Sequence, residues 1–168
     1  DWSSDVCSSD LYAATRDPES KIQMVTGAVS KGGFARDEWT MISDGPLLKP
    51  ELPWERDCIE APTVVVRGKT MFMFYAGAYN NAPQQIGVAK SLDGIRWERM
   101  AKEPLVANGA PGSWNSSESG HRGAFVDRDG KAYLFYQGNN DRGKTWYLSV
   151  LRVEWRGGRP RVQEMSKR

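Results

Sequence analysis

The stretches "EAPTVVVRGKTMFMFYAG" (residues 60–77) and "HRGAFVDRDGKAYLFYQG" (residues 121–138) decide the fold of this 168-residue chain. They align without a gap at an offset of 61 residues, so that Phe74 falls on Phe135 and Gly77 on Gly138. Each stretch consists of two apolar runs joined by a glycine-containing turn, which is the pattern of a β-hairpin. The chain therefore contains an internal repeat, and a repeat has to be identified before any single element is assigned.

The repeat extends beyond these two hairpins. Three tryptophans follow one another at intervals of 58 residues, namely Trp39, Trp97 and Trp155. An earlier, partial copy is visible in residues 11–22, which align with residues 74–86 and place Ile22 on Ile86. The similarity thus covers three consecutive units.

Each unit has the pattern of four short strands. In the clearest unit they are residues 62–67, 71–76, 85–91 and 95–100. A four-stranded unit that repeats every ~40–60 residues is typical of a β-propeller blade. The alternative is a β-sandwich with chance similarity between its hairpins. The gapless match and the regular tryptophans favour an all-β fold of the propeller type.

The length of the chain predicts only part of a propeller. A propeller closes with at least about four blades, whereas this chain holds about two and a half of an expected five. We expect a partial blade at residues 12–57, a blade at 58–117 and the last blade at 118–162, so that 12–168 is the C-terminal part of a longer domain. Residues 1–11, "DWSSDVCSSDL", match neither the repeat nor a signal peptide. They correspond to the translation of a common short-read sequencing adapter, so we expect native sequence to start at Tyr12.

Composition and charge exclude several classes of partner. The formal net charge of +2 is too small to indicate nucleic acid or an anionic membrane. No apolar run approaches the ~18 residues that a membrane span requires. The two cysteines, Cys7 and Cys58, form no metal-binding spacing. We therefore expect no nucleic-acid partner, no membrane partner and no protein metal centre. The cellular location is not assigned, since a signal peptide would precede Tyr12.

The candidate site lies where the innermost strands of the blades begin. Glu60 and His121 hold matching positions in the 61-residue alignment, so we expect their side chains to converge on the propeller axis, ~5–10 Å apart. A carboxyl group that is partly shielded from water there can act as a general acid. Further polar and aromatic residues on the same face are predicted to bind a carbohydrate. They are Asp17, Trp54, Tyr79, Asn80, Trp114, Arg122 and Asn140.

The segments "CIEAPTVVVRGKTMFMFYAG", "IGVAKSLDGIRW" and "GHRGAFVDRDGKAYLFYQG" resemble the five-bladed β-propeller glycoside hydrolases of families 43 and 32. Glu60 matches the glutamate of the family 43 motif E-[GA]-P, which the resemblance implies is the general acid. Ala61 stands where family 32 usually has cysteine, which favours family 43. His121 matches a histidine that orders a water or a metal near the axis, so a structural calcium or a water is the one cofactor that the resemblance implies. Asp17 resembles the aspartate of the family 32 "RDP" motif, although the internal alignment puts it in a loop.

The resemblance implies hydrolysis of O-glycosyl bonds, in glycans of the arabinofuranoside or xyloside type. The catalytic aspartates of the family would precede Tyr12, so we expect the isolated chain to be inactive. Two alternatives stay open. One is a non-catalytic propeller that binds glycans or protein. The other is a phosphorylase on the same fold.

Overall fold

The computed structural model describes residues 15–16, 19, 21–30, 35 and 38–165. This part of the chain contains twelve β-strands and no α-helix. It accordingly holds no helix that could cross a membrane. The predicted leader at 1–11, together with Tyr12 and Asp17, lies outside the described residues.

Two complete four-stranded sheets dominate the structure, and we call them blade I and blade II. Blade I consists of β5 (Ile59–Arg67), β6 (Thr70–Gly77), β7 (Gln85–Ser91) and β8 (Glu98–Arg99). Blade II consists of β9 (Glu118–Val126), β10 (Ala132–Asn139), β11 (Tyr147–Arg156) and β12 (Arg159–Glu164). In both blades the strands pair in chain order and antiparallel, as a propeller blade requires. Phe74 and Phe135 occupy the same register position on β6 and β10.

The outer part of blade II differs from the predicted repeat. In blade I, Trp97 lies just before β8, in the turn that leads to the outermost strand. In blade II, Trp155 lies on β11 and pairs with Pro160 across the Gly157-Gly158 turn. The third tryptophan is therefore not equivalent to Trp97, although both intervals are 58 residues.

The leading strands form a partial blade of two short sheets. They are β1 (Thr15–Arg16) with β2 (Gln23–Met24), and β3 (Ala28–Ser30) with β4 (Trp39–Met41). The bridge between Val25 and Leu48 repeats the one between Ile86 and Val106 in blade I, down to its three backbone hydrogen bonds. Val25 is therefore the equivalent of Ile86, whereas the sequence alignment assigned Ile22 to that place.

The core lies between the sheets. Phe72, Phe74, Ile86 and Val88 of blade I pack against apolar side chains of blade II, which are Ala132, Leu134, Tyr136, Leu151 and Val153. On its opposite face, blade I packs Met73 and Tyr75 against Val25, Leu47 and Leu48 of the partial blade. Both faces of blade I are thus covered by neighbouring sheets, which is how propeller blades bury their strands. This packing brings the first residues of β5 and β9 together.

Candidate active site

The two innermost strands, β5 and β9, each carry a β-bulge near their start. On β5 the register shifts between Glu60, opposite Ala76, and Thr63, opposite Phe74. On β9 the shift lies between Gly120, opposite Gln137, and Gly123, opposite Phe135. A bulge leaves extra residues unpaired and redirects their side chains, and bulges are common next to active sites.

The bulges correct the predicted equivalence of Glu60 and His121. By register Glu60 matches Gly120, and His121 matches Ala61. Both Ala61 (φ 47°) and His121 (φ 36°) have left-handed backbone conformations, as expected for the same bulge position. Between the equivalent pairs Val66–Met71 and Val126–Ala132, the chain has four residues in blade I and five in blade II, which shifts the alignment of the inner strands by one residue.

Glu60 and His121 nevertheless meet. The Glu60 Oε1 to His121 Nε2 distance is 4.0 Å, shorter than the predicted separation. The Glu60 side chain is 16% exposed and that of His121 is 39% exposed. Both side chains therefore keep some contact with solvent, while most of the Glu60 side chain is shielded from water.

Two glutamines that the sequence did not indicate hold the Glu60 carboxyl group. Gln23 Nε2 donates to Oε2 at 2.8 Å, and the buried Gln84 donates from Nε2 to Oε1 at 2.5 Å. Because Val25 matches Ile86, these glutamines hold the same position in consecutive sheets. Their 61-residue spacing is the signal that would have identified them. Each carboxyl oxygen keeps a lone pair for a further partner.

Arg122 lies behind the site and not in it. Its guanidinium is buried between the blades, where Nη2 donates to the carbonyl oxygens of Glu60 and Ala61. Burial holds the pKa of Arg122 well below its usual value, although the negative charge of Glu60 opposes this effect. Among the described residues, the Nε and Nη1 groups find no hydrogen-bond partner, and both are buried. Arg122 thus stabilises the bulge of β5, and the predicted sugar contact would require these buried nitrogens to become accessible.

A second carboxyl group, that of Glu118, was also missed. It is fully buried, and its Oε2 accepts a hydrogen bond from the backbone N–H of Asn81. Burial raises the pKa of Glu118, and the nearby charge of Glu60 adds to this effect. Since neither oxygen reaches solvent, Glu118 cannot activate a water molecule. It supports the loop that carries Asn81. The equivalent position in blade I is Cys58, directly before β5, where burial raises the pKa of the thiol to about 12, again with a contribution from Glu60.

The predicted loop residues surround this core of the site. Tyr79 donates its hydroxyl to the Lys21 carbonyl oxygen at 2.8 Å. Asn80 and Asn140 are exposed. The buried amide is instead that of Asn139, which Gly143 N–H contacts at 3.0 Å. Asn80 and Asn140 are free to meet a ligand, and Asp17 lies outside the described residues.

Trp54 and Trp114 have the contacts of packing residues, which differs from their predicted role in sugar stacking. Trp54 stacks on Tyr75 with a centroid distance of 5.9 Å and an interplanar angle of 15°. Its Nε1 donates to the Lys102 carbonyl oxygen. Trp114 packs on Tyr136 from the matching position, with a centroid distance of 5.6 Å but with the rings tilted by 46°. One indole face of each residue is thus used within its own blade.

The described residues do not form a calcium site near His121. Calcium takes about six to eight oxygen ligands. In the described part of the chain, the carboxylate that pairs with His121 is that of Glu60, and two amides already donate to it. No group of three His, Cys, Asp or Glu side chains with metal-binding geometry occurs in the described ranges. The arrangement can donate a proton from a shielded carboxyl and bind hydroxyl groups.

Comparisons with solved structures identify the fold. A thermostable family-43 glycoside hydrolase superposes with a TM-score of 0.70 at 18% identity, covering 93% of this chain and 59% of the other. The α-L-arabinofuranosidase from Lactobacillus brevis gives 0.67 at 20% identity, covering 91% and 54%. The α-L-arabinanase of Cellvibrio cellulosa, solved with arabinohexaose, gives 0.61 at 20% identity, covering 83% and 50%. The predicted fold, part of a β-propeller like that of family 43 glycoside hydrolases, is confirmed.

A curated relative is also similar in sequence. The β-1,2-mannobiose phosphorylase of Thermoanaerobacter sp. (strain X514) is 28% identical over 131 residues, which covers 69% of this chain and 41% of that enzyme. No family model matches the chain. The chain spans about half the length of the structures and proteins that it resembles.

Proposed function

We propose that this chain is part of a glycoside hydrolase that cleaves O-glycosyl bonds in glycans of the arabinofuranoside or xyloside type, with Glu60 as its general acid. The observation that carries the proposal is the position of Glu60. It lies at the bulged start of an innermost strand, mostly shielded, and 4.0 Å from an accessible imidazole. The arabinofuranosidase and arabinanase with the same fold support the choice of sugar.

The described residues account for one half of the reaction. Glu60 protonates the glycosidic oxygen as the bond to the anomeric carbon breaks, and the leaving alcohol departs neutral. Gln23 and Gln84 keep the carboxyl group in one orientation before and after the proton leaves, since each oxygen can accept an amide hydrogen bond in both states. Glu118 is sealed from solvent and is therefore not the second carboxylate, the one that activates water or attacks the sugar. We expect that group outside the described residues.

The variant Glu60→Gln tests the proposed role within a complete propeller that contains this chain. It keeps the shape of the side chain and removes the transferable proton. We expect a loss of about 10²–10⁴-fold in kcat on substrates with poor leaving groups, and a much smaller loss on aryl arabinofuranosides or xylosides with activated leaving groups. Glu98→Gln, on the outer strand of the same blade, serves as the control. Equal losses on both substrate types would show that Glu60 positions the sugar without donating a proton.

The mannobiose phosphorylase relative favours a second candidate, phosphorolysis. In that reaction a phosphate oxygen attacks the anomeric carbon, and the leaving oxygen again takes the proton of Glu60. Incubation of the complete propeller with β-1,2-mannobiose, with and without inorganic phosphate, distinguishes phosphorolysis from hydrolysis. Turnover that requires inorganic phosphate and yields a sugar phosphate identifies a phosphorylase. Glycan binding without turnover, with or without phosphate, identifies a non-catalytic propeller.

A further inference from the structure

Gln84 has only one possible orientation of its side-chain amide. Its Nε2 lies 2.9 Å from the carbonyl oxygen of Ala78 and 2.5 Å from Oε1 of Glu60. A carbonyl oxygen can only accept a hydrogen bond, so the NH₂ group must face Ala78 and Glu60. The side chain is fully buried. A Cβ atom at Gly120 would lie 2.6 Å from Gln84 Cδ, so even the neighbouring strand is shaped to fit this amide.

The oxygen of the same amide therefore faces His121. Gln84 Oε1 accepts the backbone N–H of His121 at 3.0 Å and lies 3.2 Å from the ring atom Nδ1. An amide oxygen cannot donate a hydrogen bond, so a favourable contact requires the proton on Nδ1. The other tautomer would place two lone pairs against each other in a partly buried contact, which costs free energy.

We infer that Gln84 fixes the tautomer of His121, with the proton on Nδ1 and a bare Nε2 next to Glu60. Gln84 is then a positioning residue that acts through His121. Nε2 becomes the hydrogen-bond acceptor of the site, available to a hydroxyl group of a ligand that also reaches Glu60 Oε1. The assignment of that hydroxyl to a sugar rests on the proposed function, whereas the tautomer does not.

The tautomer is directly measurable, because His121 is the only histidine in the chain. Nitrogen NMR of the ¹⁵N-labelled chain, recorded at a pH at which the imidazole ring is neutral, distinguishes protonated from bare ring nitrogens without assignment of other residues. We expect Nδ1 to show the protonated signature and Nε2 the bare one. A majority of the Nε2–H form in the unmodified protein would overturn the inference.

The variant Gln84→Met provides a second test of the inferred role of Gln84. Methionine has a similar length but no amide oxygen, so the ratio of tautomers should shift by about tenfold toward Nε2–H, the effect of one lost hydrogen bond. Gln85→Met is the matched control and should leave the ratio unchanged, since Gln85 contacts Asn108 instead. An unchanged ratio in a folded Gln84→Met protein would also refute the role of Gln84. If that variant does not fold, the unmodified protein decides the question. Neither measurement needs enzymatic turnover, so failure here is distinct from failure of the proposed function.

Discussion

At the scale of single residues, Glu55 and Glu118 show how surroundings decide the behaviour of a buried carboxyl group. Both are fully buried. Burial alone would raise the pKa of Glu55, but hydrogen bonds from Arg99, from the backbone N–H of Glu51 and from Tyr75 lower it overall. Burial raises the pKa of Glu118, which has fewer donors to oppose this effect, and the nearby charge of Glu60 adds to it. The two residues should therefore affect stability with opposite dependence on pH.

Glu55→Gln should destabilise the protein by about 3 kcal/mol at neutral pH, because it removes the buried charged partner of Arg99 at 2.8 Å and leaves only the more exposed Glu51 paired with it. The folded-state pKa of Glu55 is lowered, so its contribution is present above the ordinary value of 4.5 and is lost as the pH falls through the folded-state pKa. Urea denaturation at several pH values measures the effect. The control is Glu98→Gln in the exposed pair with Lys90, which should change stability by about 0.5 kcal/mol or less. Similar losses in both variants would contradict the prediction.

Glu118→Gln should show the reverse trend. A raised folded-state pKa favours folding at pH values below the ordinary 4.5, and this advantage is lost as the pH rises through the folded-state pKa. The variant should match the unmodified protein near pH 4 and become relatively more stable toward pH 7, by about 1.4 kcal/mol for each unit by which the pKa is raised. Thermal unfolding at both pH values tests this. A variant that is less stable at pH 7 would show that the ionised carboxylate stabilises the Asn81 loop.

At the scale of the elements, the second strand of each blade provides a flat surface for a tryptophan. Trp54 lies over Gly77 of β6, and Trp114 lies over Gly138 of β10, at matching positions. A Cβ atom at Gly77 would lie 2.8 Å from Trp54 Cε3 and 3.0 Å from Glu55 Cα. Trp54 Cε3 cannot move away easily because the indole is stacked on Tyr75, and Glu55 Cα belongs to the backbone.

Gly77→Ala should therefore cost about 1–3 kcal/mol, the range for overpacking a well-packed core. Guanidinium denaturation measures the change, and near-ultraviolet circular dichroism reports displacement of the indole. The control is Gly123→Ala on β9, where a Cβ atom would meet nothing within 4 Å. That variant should be neutral or slightly stabilising. A neutral Gly77→Ala would mean that Trp54 is loosely held and free to serve a ligand.

At the scale of the whole molecule, one sheet face of blade II is exposed, and the corresponding face of blade I is buried. The register makes Leu148 equivalent to Ile86, and Phe125 equivalent to Val65. Leu148 is 75% exposed and Phe125 is 55% exposed, whereas their counterparts are 0% and 5% exposed. In blade I this face is covered by the next blade, and an apolar face of that kind favours association when it is left open.

The chain should consequently self-associate in solution through this face. Light scattering coupled to size-exclusion chromatography should show a mass that rises with concentration. Leu148→Lys should shift the equilibrium toward the monomer, because the charge would be buried in the contact. The control is Leu92→Lys, in the turn after β7, where a leucine is 76% exposed outside this face. A monomeric mass at all concentrations, or an equal effect of both variants, would count against association through blade II.

The all-β class and the four-stranded unit could be predicted from the sequence, which also singled out Glu60 and His121 as candidates. These features are local, since alternation, turn residues and repeats are written in short windows of sequence. Only the tertiary structure decided the bulges, the one-residue shift of β9 and the different place of Trp155, because register depends on which strands pair and on how long each turn is. It also decided the supporting shell of Gln23, Gln84, Arg122 and Glu118. Gln23 lies 37 residues before Glu60 and meets it because neighbouring sheets pack face to face. Gln84 lies 24 residues after Glu60 and reaches it within the same blade, from the loop that precedes β7.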